Sequence, residues 1–489
     1  MKYNVDLVLI NPGNRESQFG NVSEYATVAQ PLGPAMIASY VRNFGHSVEI
    51  IDAEAELWGV EKVVDEVLAR KPRLVGITAF TTKMTAGGAI LNELYNRAPE
   101  IKTMIGGHHP SAIPERTLRE ERANFAVVGE GYTPTKDLLN ALKQDENLQD
   151  VLIRGVWYLK DNQIIDNGMA EPLVDLDNLP FPAWDLLPME KYRAHHWQCW
   201  EDKEDHRNSF GLVFSSLGCP FNCGFCSVNV VYGKRGARNM SPKRFVDSIE
   251  HLANNYGTRH LEIIDDTFTL NTSRVNAICG EIINRGLEFD AWCFARTDRT
   301  DPKMLDNMRK AGINWTFSGL EAGTDETLAG SSKHQNVKQI RDAVKKIKAA
   351  GIYMGGNFVF GLPGETNETM SATLDLANEL NPEWANFFIP MAYPGTRLYE
   401  EARGKGILPR RWTQYGFFAP DAVPLPTEKL TSGELIKFRD AAFVEFFSGE
   451  RYQNMIQEKF GSDILKKIKK MLEKNLERVP YPEKEKLEI

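Results

Sequence analysis

Three of the six cysteines stand within eight residues, as Cys219-Pro220-Phe221-Asn222-Cys223-Gly224-Phe225-Cys226. Zinc sites commonly pair cysteines as C-x-x-C and need a fourth ligand for tetrahedral closure. Three thiolates on one short loop suit a four-iron cluster instead, which leaves one iron open to a substrate or cofactor. A zinc knuckle, or three unrelated buried thiols, is the plainer alternative. Further along stand Asp265-Asp266, Arg296, Gly319-Leu320-Glu321 and Gly361-Leu362-Pro363-Gly364. Taken singly, such residues cap and turn the chain as often as they bind anything. Cys199, Cys279 and Cys293 have no motif around them and read as small buried apolar residues.

The elements that position these residues follow from hydrophobic pattern. Residues 206–400 show six candidate strands, Leu212–Ser216, Leu261–Ile264, Phe289–Ala295, Trp315–Leu320, Asn357–Gly361 and Trp384–Ile389, with a helix between successive strands. Ser241-Pro242 and Asp301-Pro302 place a cap before a first-turn proline. Six β/α units predict a partial barrel, open on one side, with its chemistry at the strand carboxyl ends. The cysteine loop follows the first of these strands.

Residues 1–145 read as a second β/α series, with strands at Val5–Ile10, Val48–Ile51, Leu74–Thr78, Thr103–Ile105 and Phe125–Val128. Helical patterns at Pro34–Arg42, Val60–Ala69 and Ala86–Asn96 complete a doubly wound parallel sheet, whose ligands sit at the carboxyl ends of its strands. Small residues gather there: Asn11-Pro12-Gly13, Thr78-Ala79-Phe80-Thr81-Thr82, Gly106-Gly107-His108-His109 and Gly129-Glu130-Gly131. No G-x-G-x-x-G follows the first strand, which argues against a dinucleotide site. Residues 146–205 read as a connector with a weak hairpin (Gly155–Leu159, Gln163–Ile165) and a proline-rich strap at Leu179–Trp184. Residues 401–489 read as mainly helical, with Ile464, Leu465, Ile468, Met471, Leu472, Leu476 and Val479 on one apolar face and lysines opposite.

The chain has 489 residues, 42% hydrophobic and 25% charged, as in a soluble globular protein of two or three domains. Its formal net charge of −8 argues against coating nucleic acid or an anionic membrane. No apolar run reaches the ~18 residues of a membrane span. The start resembles no signal peptide and disulfides are not expected from so few cysteines, so a cytoplasmic setting is expected.

Cys219-x-x-x-Cys223-x-x-Cys226, with Phe225 before the last cysteine, together with the Asp-Asp-x-Phe stretch at 265–268, resembles the radical S-adenosylmethionine (SAM) enzymes that carry an N-terminal cobalamin domain, most of all the class B methyltransferases. The resemblance covers nearly all of residues 1–400. It implies a 4Fe-4S cluster on Cys219, Cys223 and Cys226, and SAM held by Phe225, Asp265, Asp266, Arg296, Glu321, Gly361 and Pro363. It further implies cobalamin against Thr78, Phe80, Thr81, Gly106, Gly107, His108, Gly129, Glu130 and Gly131. The Asp-x-His-x-x-Gly loop that ligates cobalt in other cobalamin domains is missing after the first strand.

The activity so implied is methyl transfer from SAM, through methylcobalamin, to an unactivated carbon after hydrogen abstraction by a 5′-deoxyadenosyl radical. A cyclase or rearrangement enzyme without methyl transfer is the alternative. Methylthiolation would need a second cluster on N-terminal cysteines, and none precedes Cys199. The open barrel would admit a peptide or protein side chain as well as a natural product, and flavodoxin or ferredoxin is the implied electron donor. Trp292, Trp315, Phe387 and Tyr393 are expected near the barrel mouth, with Arg411, Trp412, Tyr415 and Phe417 covering its open side.

Overall fold

A computed structural model describes residues 3–144, 152–202, 206–474 and 476–479. The first β/α series forms strands β1 (Val5–Asn11), β2 (Val48–Asp52), β3 (Pro72–Thr78), β4 (Lys102–Gly106) and β5 (Phe125–Val127). They pair in parallel in the order β2-β1-β3-β4-β5. Because side chains alternate along a strand, Val8 and Ile10 bury against the helices at Val60–Arg70 and Met84–Arg97. Leu7 and Leu9 bury on the opposite face, with Ala38 and Leu138. The sheet is therefore doubly wound, as its apolar pattern requires.

The hairpin expected in the connector belongs to this sheet instead. Strands β6 (Val156–Lys160) and β7 (Gln163–Ile165) continue it antiparallel from β5. Its short, half-polar strands carry no sign of the partner they pair with, which is why the sequence suggested a free-standing element.

The second series gives β8 (Phe210–Val213), a small antiparallel ribbon of β9 (Ser216–Leu217) and β10 (Arg238–Asn239), then β11 (His260–Ile263), β12 (Asp290–Ala295), β13 (Ile313–Glu321), β14 (Tyr353–Val359) and β15 (Trp384–Phe388). All but the ribbon form one parallel sheet in chain order, β8-β11-β12-β13-β14-β15, and among the described residues its outer strands do not pair with each other. This is the six-unit open barrel. Ser241 and Asp301 cap their helices as expected, accepting from Arg244 N at 3.2 Å and Met304 N at 2.9 Å. β14 begins four residues before the expected Asn357, because Gly355 and Gly356 disguise it. Gly355 is needed there, since the Phe317 ring occupies the place a Cβ would take.

The lower, N-terminal end of the barrel is filled by the connector. Trp197 packs its ring 5.6 Å from Trp292, 4.9 Å from Trp315 and 4.6 Å from Phe317. Trp200 packs on Trp315, Trp384 and Phe460. Trp292 and Trp315 thus belong to a plugged core at the end away from the mouth, and Phe387 is buried between Phe358, Phe360 and Phe446. Of the four aromatics expected near the mouth, only Tyr393 stands beyond the carboxyl end of a strand.

Helices at Ser432–Ser448, Glu450–Phe460 and Ser462–Leu472 follow the barrel. The last buries Ile464, Leu465, Ile468 and Met471 in the barrel's core cluster. It stops at Leu472, short of the expected Val479, and Arg478 beyond it holds Asp440 and the carbonyls of Phe417 and Ala419. Among the described residues no helix is long and apolar enough to cross a membrane.

Candidate cofactor site between the two sheets

The cysteine loop is tied to the barrel by Asp265. This carboxylate, fully buried at the carboxyl end of β11, accepts from the backbone N–H of Ser215 at 2.6 Å and from the hydroxyls of Ser215 and Ser216 at 2.5 and 2.6 Å. Burial raises its pKa, against the pull of the serines and Arg274. Its hydrogen bonds go to Ser215 and Ser216, in the turn that leads into Cys219, so it sets the loop. Expected as a SAM contact, Asp265 is placed here as the anchor of that loop. Asp266 is the residue that faces the loop, accepting from Gly218 N at 3.1 Å. Burial, then the neighbouring Asp265, pushes its pKa up to about 6.

The loop thiols form no disulfide. Burial raises Cys223, while the Lys333 ammonium and, more weakly, Arg296 pull it back toward thiolate. A tetrahedral zinc, with Zn–S near 2.3 Å, draws its sulfurs to within roughly 4 Å of one another. The three thiols are not gathered so closely: among the described residues the one cluster whose ligand atoms all lie within 4.8 Å is elsewhere. Three wider-spaced thiols with cations beside them fit a four-iron cluster better than a zinc knuckle.

Around this loop the barrel brings together several of the expected residues. Arg296, after β12, lays its guanidinium 3.6 Å from the centre of the Phe221 ring and bonds Asp298 and the Lys333 carbonyl. Glu321, ending β13 with φ +62°, pairs with Lys333, both buried. Lys333 also donates to the Gly319 carbonyl. Gly224, between Cys223 and Phe225, sits under the half-exposed Arg397 guanidinium, which would have to swing aside for a Cβ at this position.

Phe225 is half-buried against the cluster of Leu398, Tyr399 and Tyr415. Gly361, with φ +93°, makes room for Leu435 of the helix behind it, and its N–H and that of Leu362 donate to the buried Glu365. Gly361 is thus shaped by helix packing, and Pro363 is exposed. Lys333, Phe221 and Arg397 escaped the sequence reading, because a lysine in a polar turn or an aromatic between cysteines carries no motif.

Above the carboxyl ends of β1, β3, β4 and β5 lies a mostly apolar cavity of about 500 Å³. Thr78, Phe80, Gly106, Gly107, His108, Gly129, Glu130 and Gly131 line it, as expected for cobalamin. It sits where the strand order reverses between β1 and β3, the usual ligand crevice of such sheets. Gly107 adopts φ +117°, and a Cβ there would meet the Ala79 carbonyl oxygen at 2.7 Å, so this wall admits no side chain. A glycine-walled apolar crevice in this position fits a corrin and its nucleotide tail. The imidazole of His108 stacks on Phe80 at 5.1 Å, and burial holds its pKa down to about 4, leaving the ring neutral.

Two of the expected cobalamin residues do other work. Thr81 does not line the cavity; its hydroxyl lies 3.2 Å from His109 Nδ1. Glu130 reaches the lining, but its carboxylate is paired with Arg238 of the β9–β10 ribbon and accepts from Leu173 N. After β1, where other cobalamin domains offer a histidine, Asn11 donates to the buried Asp52 and accepts from Lys83.

The far wall of the cavity comes from the barrel: Phe214, Leu217, Tyr232 and Ile264. Leu217 and Tyr232 flank the cysteine loop in sequence, so one chamber joins the glycine wall to the metal-binding loop.

The chain matches the B12 binding domain family over residues 20–139 and the Radical SAM superfamily over residues 213–377. It is 34% identical over 424 residues to an uncharacterized methyltransferase of Pyrococcus horikoshii, covering 86% of this chain and 88% of that one. The chain belongs to the cobalamin-dependent radical SAM methyltransferase family. The family's reach extends to an anaerobic magnesium-protoporphyrin IX monomethyl ester cyclase of Rubrivivax gelatinosus, 27% identical over 86% of this chain and 74% of that enzyme. The fold is shared with the radical SAM methyltransferase TsrM of Kitasatospora setae, solved with cobalamin and a 4Fe-4S cluster. There the TM-score is 0.65 at 17% identity, over 83% of this chain and 75% of that one. The cofactors of this family member are therefore a 4Fe-4S cluster, SAM and cobalamin.

Proposed function

We propose that this enzyme transfers a methyl group from SAM to an unactivated carbon of a small-molecule or peptide substrate. When bound, the three cofactors supply one-electron cleavage of SAM and carriage of a methyl group. The chain's own residues hold and separate these tasks. Cys219, Cys223 and Cys226 would hold the iron as thiolates, and the positive charge of Lys333 and Arg296 favours that state at Cys223. The same two cations suit the carboxylate of SAM, and Asp266 and Glu321 suit its ammonium and ribose hydroxyls. Asp266 works as an anion, a state it holds above about pH 6. The apolar walls keep water from a reactive carbon, and the neutral His108 with Phe80 lines the floor on which the corrin rests.

One observation supports methyl transfer above all: a single cavity runs from the glycine wall of the N-terminal sheet to the residues flanking the cysteine loop. A methyl carrier and a radical generator then face the same substrate carbon. The 27% identical cyclase favours a second reading, with the same cofactors and no methyl transfer.

The test is anaerobic turnover with a low-potential reductant, methyl-labelled SAM and an extract of small molecules and peptides. Carbon methylation gives 5′-deoxyadenosine and S-adenosylhomocysteine in equal amounts, with label in a product. 5′-Deoxyadenosine without S-adenosylhomocysteine or labelled product overturns methyl transfer and favours the second reading.

A further inference from the structure

The lower end of the barrel carries a separate group of metal-ligating side chains. Cys199 and Asp202 lie on the connector that plugs this end, and His260 opens β11. One ligand atom from each lies within 4.8 Å of the other two. His260 is 3% exposed, and its Nε2 stands 2.9 Å from an Asp202 carboxylate oxygen. Its other nitrogen, Nδ1, is 3.4 Å from Oδ2 of Asp290, the residue paired with it at the start of β12. Both Nδ1 and that Oδ2 are buried and face each other as an ion pair just outside hydrogen-bond geometry.

This arrangement has a known chemical logic. A metal-bound imidazole gives its second ring N–H to a carboxylate, which fixes the tautomer and strengthens the ligand. With Nε2 on a cation, Nδ1 must carry the proton, and a small ring rotation lets Asp290 accept it. The existing His260–Asp290 ion pair then tightens into a hydrogen bond. One thiolate, one carboxylate and one imidazole form a mixed sulfur, oxygen and nitrogen set, which suits zinc over magnesium or calcium.

We propose that Cys199, Asp202 and His260 bind one zinc ion, with Asp290 supporting the imidazole. Binding releases the Cys199 thiol proton to solvent, and the two anionic ligands then neutralise the divalent ion. A water completes the tetrahedron. The ion fastens the connector to the first residues of two neighbouring strands, beside Gln198, which already donates to the carbonyls of Leu261 and Asp290. It sits apart from the cysteine loop, since β11 runs four residues, about 13 Å, from His260 toward the end where Asp265 lies.

The test uses the reconstituted holoenzyme, titrated with zinc chloride, dialysed, and measured for zinc and iron per chain and for zinc X-ray absorption. The expected result is one zinc per chain with a single sulfur near 2.3 Å and lighter ligands near 2.0–2.1 Å. Cys199→Ala and Asp202→Asn each lose the zinc and keep the iron. Should a variant fail to fold, the wild-type spectrum decides. A wild-type protein that retains no zinc overturns the proposal, as does a three-sulfur shell, which would put zinc on the cysteine loop. Zinc retained in both variants overturns it equally.

Discussion

Asp265 is expected to hold the cysteine loop without touching SAM, and Asp265→Ala separates these roles. The substitution removes three hydrogen bonds to a buried carboxylate, each 2.5–2.6 Å long. Bonds to a charged acceptor contribute about 1.5–3 kcal/mol apiece, but the two serine hydroxyls can turn to other partners. The Ser215 N–H cannot, and stays buried and unpaired. The net cost is about 4 kcal/mol, roughly a 10 °C fall in the melting temperature of a barrel this size. Asp265→Asn keeps an oxygen for Ser215 N and offers an amide to hydroxyls able to accept, so it costs only about 1–2 kcal/mol. The assay is iron per chain after anaerobic reconstitution, with thermal unfolding on the same samples. The alanine variant loses iron and stability together, and the asparagine variant keeps most of both. If both variants hold full iron and melt like the wild type while losing SAM affinity, the carboxylate is a ligand contact and this reasoning is wrong.

Three further outcomes are expected. Gly107→Val sets a side chain against the Ala79 carbonyl in a backbone with φ +117°, so bound cobalamin, read from its visible absorption, is lost while iron per chain is unchanged. Trp197→Ala empties the centre of the lower plug and costs about 3–5 kcal/mol in denaturant unfolding, with the iron–sulfur cluster and cobalamin still bound under native conditions. Burial raises Glu365 from 4.5 to about 7. The folded chain therefore holds this proton more tightly than the unfolded one, and the contribution to stability falls as pH rises from about 4.5 to about 7. Glu365→Gln should remove up to roughly 3 kcal/mol of that decline, measured as urea midpoints on either side of the window.

The sequence by itself determined the two β/α series, because alternating apolar runs and capped helices are local patterns set by side-chain period. It also determined the metal-binding loop, since three thiols so close in sequence remain close in any fold. The glycine wall was legible for the same reason: Gly106-Gly107 and Gly129-Gly131 follow strands whose ends define a ligand crevice. What each carboxylate does was not legible. Asp265 and Asp266 are neighbours of identical chemistry, and only the β11 backbone decides that one turns into the serine turn and the other toward the loop. Glu130, expected as a cofactor contact, lines the cavity while its carboxylate pairs with Arg238, 108 residues away in sequence. Lys333 gained meaning only by meeting Glu321 and Cys223 across the barrel. The tertiary structure likewise moved Trp292 and Trp315 from the mouth to a plugged floor, because side chains distant in sequence fill the barrel, and a strand's own pattern does not say which end they close.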